Sequence, residues 1–328
     1  MQGRQLQFTA SIDKIKSSTQ YFPMAKLGIA SEVTQVRVAV TQAEPKWLDL
    51  QGSVDKTCAL ISEAARGGAK LLAFPECWVT GYPAWIWARP VDTHLTSRYI
   101  KNCMRADGPE MARIQQCAAD NDITVAIIDS DGKLLALRRK IKATHMERTI
   151  FGDASGDALT SVVDTKAGRV GALSCWEHIQ PLLKYYLYSH REQIHVAAWP
   201  PLHPYKDEKE LWSMSREGAR ALSQTYAIES QAFVLHATAV ISEQGISLMN
   251  TEGGAVMNTP GGGSSAIFGP DGRILTEDIP QSEEGILYAT LDLDEIIRCK
   301  SFVDVCGHYS RPDMLWLGVD REVKRHVQ

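Results

Sequence analysis

A thiol, a carboxylate and an amine stand at three places where the apolar pattern of a strand gives out: Cys175 in GRVGALSCWEH, Glu76 in LLAFPECW and Lys140 in LALRRKIKATHMER. Singly, none of them signals chemistry. A Glu after a strand is ordinarily a solvated loop residue, a Lys in an RRKIK run covers surface, and a Cys behind a buried strand packs as a small hydrophobe. Together they make a working set. A thiolate attacks an electrophilic carbon, an ammonium stabilises the anion that forms, and a carboxylate takes up a proton from thiol or water, as acyl or imidoyl transfer requires. Cys175 is expected where a strand gives way to a helix, so that unpaired N–H groups and the positive helix end lower its pKa. The backbone N–H of Trp176, next along, is then a candidate oxyanion donor.

Such residues meet only if the strands carrying them run parallel, because the carboxyl ends of parallel strands converge on one edge. The punctuation supports that order. From Val36 the run VRVAV leads to a helix opened by Ser53 and closed at Gly67-Gly68, then to the strand AKLLAFPE. A helix follows from Asp107-Gly108-Pro109 through Met111, Ile114 and Ala118; next come ITVAII as a strand, Ser130-Asp131-Gly132 as a tight turn and KLLALRRK as the returning strand. The second half repeats the scheme: strand RVGALSC, a helix from about 178 to 190, strand IHVAAWP, a long helix over 207–227, strand QAFVLHATAVI and the hairpin AIF-GPDG-RIL. Two βαβαβ halves, each closed by a hairpin, predict an α/β fold: a four-layer α-β-β-α sandwich of two mixed sheets with helices outside and right-handed crossovers.

Composition narrows the function classes. The chain has 328 residues, 44% of them apolar and 23% charged, ordinary globular values. A net charge of −4 leaves no electrostatic footprint for nucleic acid. No uninterrupted apolar stretch reaches the ~20 residues of a membrane span. Seven scattered cysteines, without CxxC spacing, predict free thiols in a reducing, cytoplasmic compartment and no structural zinc. The Gly-rich stretch 250–263 lacks the Lys-Ser/Thr pair of a phosphate loop and reads as a flexible surface connection. His178 raises the thought of a Cys-His pair, but its ring is expected to point away from the sulfur or to order a substrate loop. Trp78, Trp85 and Trp87 suit a pocket wall, core packing or a subunit contact, and Trp199 stands at another strand end.

The segments FPE followed by W-x-x-GYP, RRK-I-x-x-THxER and GRVGALSCWEH resemble the catalytic segments of the nitrilase family. The likeness runs from about Val36 to Asp313 and includes HVAAWP, YAIE, GPDG and HYSRPD. CWEH-x-QPLLKYY and NTPGGGSSAIFGPDGR look most like the fungal aromatic and arylacetonitrile-hydrolysing branch, with cyanide-converting enzymes as relatives. The resemblance implies Cys175 as nucleophile, Glu76 as proton acceptor, Lys140 as electrostatic stabiliser and proton donor, and Glu147 as a second carboxylate, with Trp176, Trp199 and Trp78 at the substrate pocket. It implies hydrolysis of a nitrile to acid and ammonia through a thioimidate and a thioester, with neither metal nor organic cofactor, in a homo-oligomer of spiral type. Cyanide hydratase, amidase and a catalytically dead oligomerising homologue are the alternatives. The domain then covers 36–313. Residues 1–35, which lack periodicity and contain an alternative start at Met24, form an N-terminal extension expected to be disordered, and 314–328 form a C-terminal tail.

The first half is short by one strand and a connection. In the family pattern these lie between the ITVA-like and AIID-like segments, which are fused here at about Val125-Ala126. If 123–128 takes the parallel position, the return strand carries Lys140 to the edge opposite Glu76 and Cys175, ~17–20 Å away. If it takes the hairpin position, Lys140 stays but a central strand is vacant, each buried unpaired group costing ~1–3 kcal/mol. The expectation is a broken site, little nitrilase activity and an exposed sheet edge.

Overall fold

The computed structural model describes residues 34–125, 127–207, 210–325 and 327. Residues 1–33 of the expected extension lie outside these, and Gln35 already belongs to the first strand. The elements in order are β1 (Gln35–Ala43), α1 (Leu50–Arg66), β2 (Leu71–Ala73), α2 (Thr93–Lys101), α3 (Pro109–Asp120), β3 (Thr124–Val125), β4 (Val162–Thr165), β5 (Gly168–Ser174), α4 (Pro181–Ser189), β6 (Ile194–Trp199), α5 (Arg216–Ser230), β7 (Phe233–Ala239), α6 (Glu243–Met249), β8 (Ala266–Phe268), β9 (Gly285–Asp292) and α7 (Asp294–Phe302).

The strands follow the order β3-β2-β1-β7-β6-β5-β4, with β9 added antiparallel to β1 and β8 antiparallel to β7. β1 and β7 touch only at their last residues, Gln42 and Ala43 against Thr238 and Ala239, so the sheet forms two leaves joined at one corner. Period-two alternation decides what each leaf buries. Val36, Val38 and Val40 of β1 and Leu71 of β2 share one core with Val170, Val196, Phe233 and Leu235 of the other leaf. The opposite face of the first leaf, through Ala39 and Leu72, packs on Val54 and Ile61 of α1 and Met111 and Ile114 of α3. That of the second, through Leu173, Ala197 and Val234, packs on Leu187 of α4 and Tyr226 of α5. The order of packing is helices, leaf, leaf, helices.

Several boundaries differ from expectation. α1 begins at Leu50, because Asp49 rather than Ser53 caps it, accepting from Gly52 N at 3.0 Å. α4 begins only at Pro181, since Cys175–Ile179 form a separate 3₁₀ turn. The helix expected over 207–227 starts at Arg216, where Ser215 accepts from Gly218 N at 3.3 Å. The 250–263 stretch is no loose surface connection: Thr251, Met257 and Gly261 to Gly263 are buried, and a Cβ at Gly262 would lie 2.6 Å from Pro201.

The largest correction concerns the shortened half. β3 does pair parallel to β2, but only through Thr124 and Val125. Val125 and Ile128 then exchange both backbone hydrogen bonds, at 2.8 and 2.9 Å, which turns the chain back at once. A second reversal at Ser130-Asp131-Gly132 pairs Ile128 antiparallel to Leu134. Two reversals restore the original direction, so residues 136–140 run toward the same edge as β2 and bring Lys140 to it. KLLALRRK is therefore not a strand, and neither expected outcome holds, because the run ITVAII divides instead of occupying one position.

Candidate active site

β2 ends at Ala73 and releases Phe74-Pro75-Glu76; the Glu76 N–H donates to Trp199 O at 3.3 Å, tying the first leaf to the end of β6. β5 ends at Ser174, and Cys175 follows in the left-handed region at φ +50°. Ser174 and Glu177 form a capping box across the 3₁₀ turn, the Glu177 carboxylate accepting from Ser174 N at 3.0 Å. Glu147 closes a second capping box, accepting from Thr144 N at 2.9 Å.

These elements bring the four side chains together. Lys140 Nζ donates to Glu76 Oε1 at 2.9 Å and to Glu147 Oε1 and Oε2 at 3.0 and 2.8 Å. A carboxylate oxygen of Glu76, one of Glu147 and the sulfur of Cys175 lie within 4.8 Å of one another. Glu147 is held from behind by the Tyr82 hydroxyl at 2.9 Å, which itself accepts from Trp87 Nε1 at 3.1 Å. Glu76 Oε2 is buried and has no hydrogen-bond partner among the described residues. It is the acceptor left free to take a proton.

Enclosure dominates the electrostatics. Burial pushes Glu76 up to about 7, Lys140 opposing and Glu147 adding to the rise. Burial alone would lower the Lys140 ammonium, yet Glu76, Cys175 and Glu147 hold it above its ordinary value. The Cys175 thiol lies well above the usual range, raised by burial and by Glu76 against the pull of Lys140 and of the Trp176 N–H. The lowered thiol pKa expected from a helix dipole is thus overturned, because a five-residue 3₁₀ turn supplies little dipole and two carboxylates face the sulfur. Burial and the two carboxylates favour the thiol over the thiolate.

Arg138 and Glu177 were not anticipated. Arg138 donates to both Glu177 oxygens, at 2.8 and 2.6 Å, and Ile141 N donates to Glu177 Oε1 at 2.8 Å. Glu177 therefore grips the chain on both sides of Lys140 while capping the turn that carries Cys175. The spacing Ser174-x-x-Glu177 is a legible capping signature; its second partner, 39 residues away, is not.

Of the expected pocket residues, Trp176 is half-buried beside Cys175, whereas Trp78 and Trp199 are packed inside. Trp78 lies tilted against Phe74 and donates to Thr57 Oγ1 at 2.8 Å; Trp199 lies flat on His178 and donates to Ser223 Oγ at 3.1 Å. Tyr82, Trp85 and Ile86 likewise sit in a core cluster of the chain itself. The seven cysteines are free thiols, and among the described residues no helix is long and apolar enough to cross a membrane.

The carbon-nitrogen hydrolase family model matches residues 37–128 and 124–301, two stretches whose ends overlap where the chain is shortened. An arylacetonitrilase of Aspergillus kawachii is 65% identical over 311 residues, covering 90% of this chain and 95% of that protein. Ninety per cent of 328 residues is about 295, so about sixteen of those 311 positions have no residue of this chain opposite them. An arylacetonitrilase of Hypocrea virens is 58% identical over 309 residues, with 89% of this chain and 94% of that protein covered. Among solved structures, a carbon-nitrogen hydrolase from Helicobacter pylori G27 shares the fold at 16% identity with a TM-score of 0.65, over 82% of this chain and 93% of that one. An amidase from Nesterenkonia sp. shares it at 21% identity with a TM-score of 0.56, over 80% and 92%.

Proposed function

The chain belongs to the carbon-nitrogen hydrolase family, and from that premise we propose that it hydrolyses an arylacetonitrile-type nitrile to a carboxylic acid and ammonia. The observation that carries this reading is the convergence of Glu76, Glu147 and Cys175 within 4.8 Å around the Lys140 ammonium. Glu76 Oε2 accepts the thiol proton as sulfur bonds to the nitrile carbon, and that proton passes to the nitrogen to give a thioimidate. Water then adds, with Glu76 as base; the carbon–nitrogen bond breaks and ammonia leaves with a proton delivered through Glu76 and Lys140. A second water cleaves the thioester, freeing the acid and restoring the thiol. Lys140 and the Trp176 N–H stabilise the anion at each addition, and Glu147 holds Lys140 charged and in place.

The geometry of the shortened half favours an active enzyme over a dead homologue, since Lys140 stands at the site. A homo-oligomer fits the solvent-exposed Met314, Leu315 and Trp316 of the tail, and a reducing cytoplasm fits the unpaired cysteines. Purified protein incubated with phenylacetonitrile, benzonitrile and cyanide, with acid, amide and ammonia measured, tests the reading. Phenylacetic acid with equimolar ammonia is expected. An amide alone would move the assignment to a hydratase, and no turnover from folded protein would overturn it.

A further inference from the structure

Behind the nucleophile runs a chain of buried polar groups that the reaction does not consume. His178 Nδ1 lies 2.7 Å from the carbonyl oxygen of Cys175, His178 Nε2 lies 3.1 Å from His195 Nε2, and His195 Nδ1 lies 2.9 Å from Glu192 Oε2. The Tyr226 hydroxyl donates to the other Glu192 oxygen. All four side chains are buried. The rings are fixed as well: His178 lies flat on Trp199, and His195 on Tyr226 with centroids 3.8 Å apart. Room for the carboxylate is built in, because Gly171, opposite His195 on β5, is where any Cβ would collide with Glu192.

Proton placement follows from the chemistry of the contacts. A carbonyl only accepts, so His178 Nδ1 carries its proton and donates. One proton lies between the two Nε2 atoms; with His178 kept neutral by burial, it belongs to His195. One proton also lies between His195 Nδ1 and Glu192, whichever of the two holds it. Every hydrogen bond from His195 onward is thereby directed toward Cys175.

The Cys175 carbonyl shares a planar peptide with the Trp176 N–H, and in a trans peptide the two point in opposite directions. Fixing the one aims the other. The Trp176 N–H, next along from Cys175, is the donor assigned to the anion that forms when the sulfur adds to the substrate carbon. We propose that His178 is a positioning residue: held in one tautomer by His195, Glu192 and Tyr226, it locks the Cys175–Trp176 peptide plane and so aims the oxyanion donor. This rests on Cys175 being the nucleophile.

The test compares the full chain with His178→Leu, His178→Asn, Glu192→Leu and Glu192→Gln, each checked for folding by circular dichroism. Two readouts are taken: turnover of phenylacetonitrile, and alkylation of Cys175 by iodoacetamide followed by peptide mapping, a displacement that builds no oxyanion. Loss of an aimed donor is worth about 100-fold in kcat, so His178→Leu is expected to lose about that much with KM changed less than about threefold. Alkylation should fall much less than turnover. Asn, whose amide N–H can reach the same carbonyl, should recover about tenfold of the loss. Gln at 192, able to donate to His195 and accept from Tyr226, should lose less than Leu. Retained kcat in a folded His178→Leu, equal losses in turnover and alkylation, or Asn no better than Leu would overturn the proposal. A wild-type chain that neither turns over a nitrile nor alkylates at Cys175 would instead overturn the reading beneath it, a result visible without any variant.

Discussion

Cys175 leaves a seven-residue strand paired on both sides, to β4 and to β6, whereas Lys140 arrives along residues 136–140, which belong to no strand. Both side chains nonetheless reach the same few ångströms of space. In the second half the sheet register sets the position of the functional residue; in the first, the chain doubles back and a set of charged hydrogen bonds sets it. Glu177 joins the two modes, since the carboxylate that caps the nucleophile turn also holds Arg138 and Ile141 N. A site residue can thus be delivered by a sheet or by a buried carboxylate that leaves the chain no other satisfied arrangement.

The comparison breaks most severely at the nucleophile. Cys175→Ala removes the sulfur proposed to form the covalent intermediate and is expected to lower kcat by at least ~10³-fold with little effect on folding. Residual turnover above that level, measured with phenylacetonitrile, would mean that another group attacks.

Next in size is the clamp. Glu177→Leu leaves Arg138 as a buried unpaired charge and frees the N–H groups of Ile141 and Ser174, a loss of about 3–5 kcal/mol in stability by analogy with broken buried pairs. Urea unfolding measures it. Val170→Ala on β5 should cost stability of a few kcal/mol too, about 1–3, but leave KM and the pH profile alone, because the register of β5 has many other bonds. If Arg138→Leu spares kcat entirely, the clamp does not position Lys140.

Glu76 allows a pH test in which stability and activity move oppositely. Its folded pKa is about 7, above the ordinary carboxylate value, so the group contributes stability that is full below the unfolded pKa and lost as pH rises through about 7. The base role proposed for it requires the ionised form, so kcat/KM should rise with pH over the same window. The stability difference between wild type and Glu76→Gln, followed from pH 5 to pH 8, isolates this group. A flat difference would place its pKa in the ordinary range.

Much of this was readable in the residues. FPE, RRK, THMER and SCWE marked the four groups that meet, and the apolar runs VRVAV and IHVAAWP marked two of the strands that share the inner core. What escaped had physical reasons. The reversal between Val125 and Ile128 falls within a run of apolar and β-branched residues without Gly, Pro, Asn or Asp, so no turn chemistry announces it. Gly132 announces the next one, at φ +82°. Trp78 and Trp199, expected at the pocket, are packed inside, and their place in the chain does not reveal which way a large side chain turns. The strand GILYATLD of β9 has no place in the two-half scheme read from the sequence, and its antiparallel pairing to β1, about 250 residues back, leaves no local trace.

The smallest effect expected is also the one that most sharpens the comparison: inserting near Val125 a family-like strand and loop of about sixteen residues, as many as the unmatched positions in the match to the Aspergillus relative. Were Lys140 misplaced by the shortening, the insertion would raise kcat by orders of magnitude. Here Lys140 already makes three hydrogen bonds to two carboxylates, and Glu177 fixes the chain on either side of it. New strand pairing would therefore act on the backbone of 124–135, where β3 has only two residues and the edge beyond it is short. Each added backbone hydrogen bond contributes a net ~0.5–1.5 kcal/mol, less than the ~1–2 kcal/mol that ordering each added residue costs, so any gain in stability rests on the apolar surface the new strand covers. The insertion is expected to change kcat less than about threefold while raising solubility and slowing amide exchange in 124–135. A hundredfold gain in kcat would show that the shortened half does not hold Lys140 in its working position, and that sheet register, not the Glu177 clamp, is what the site requires.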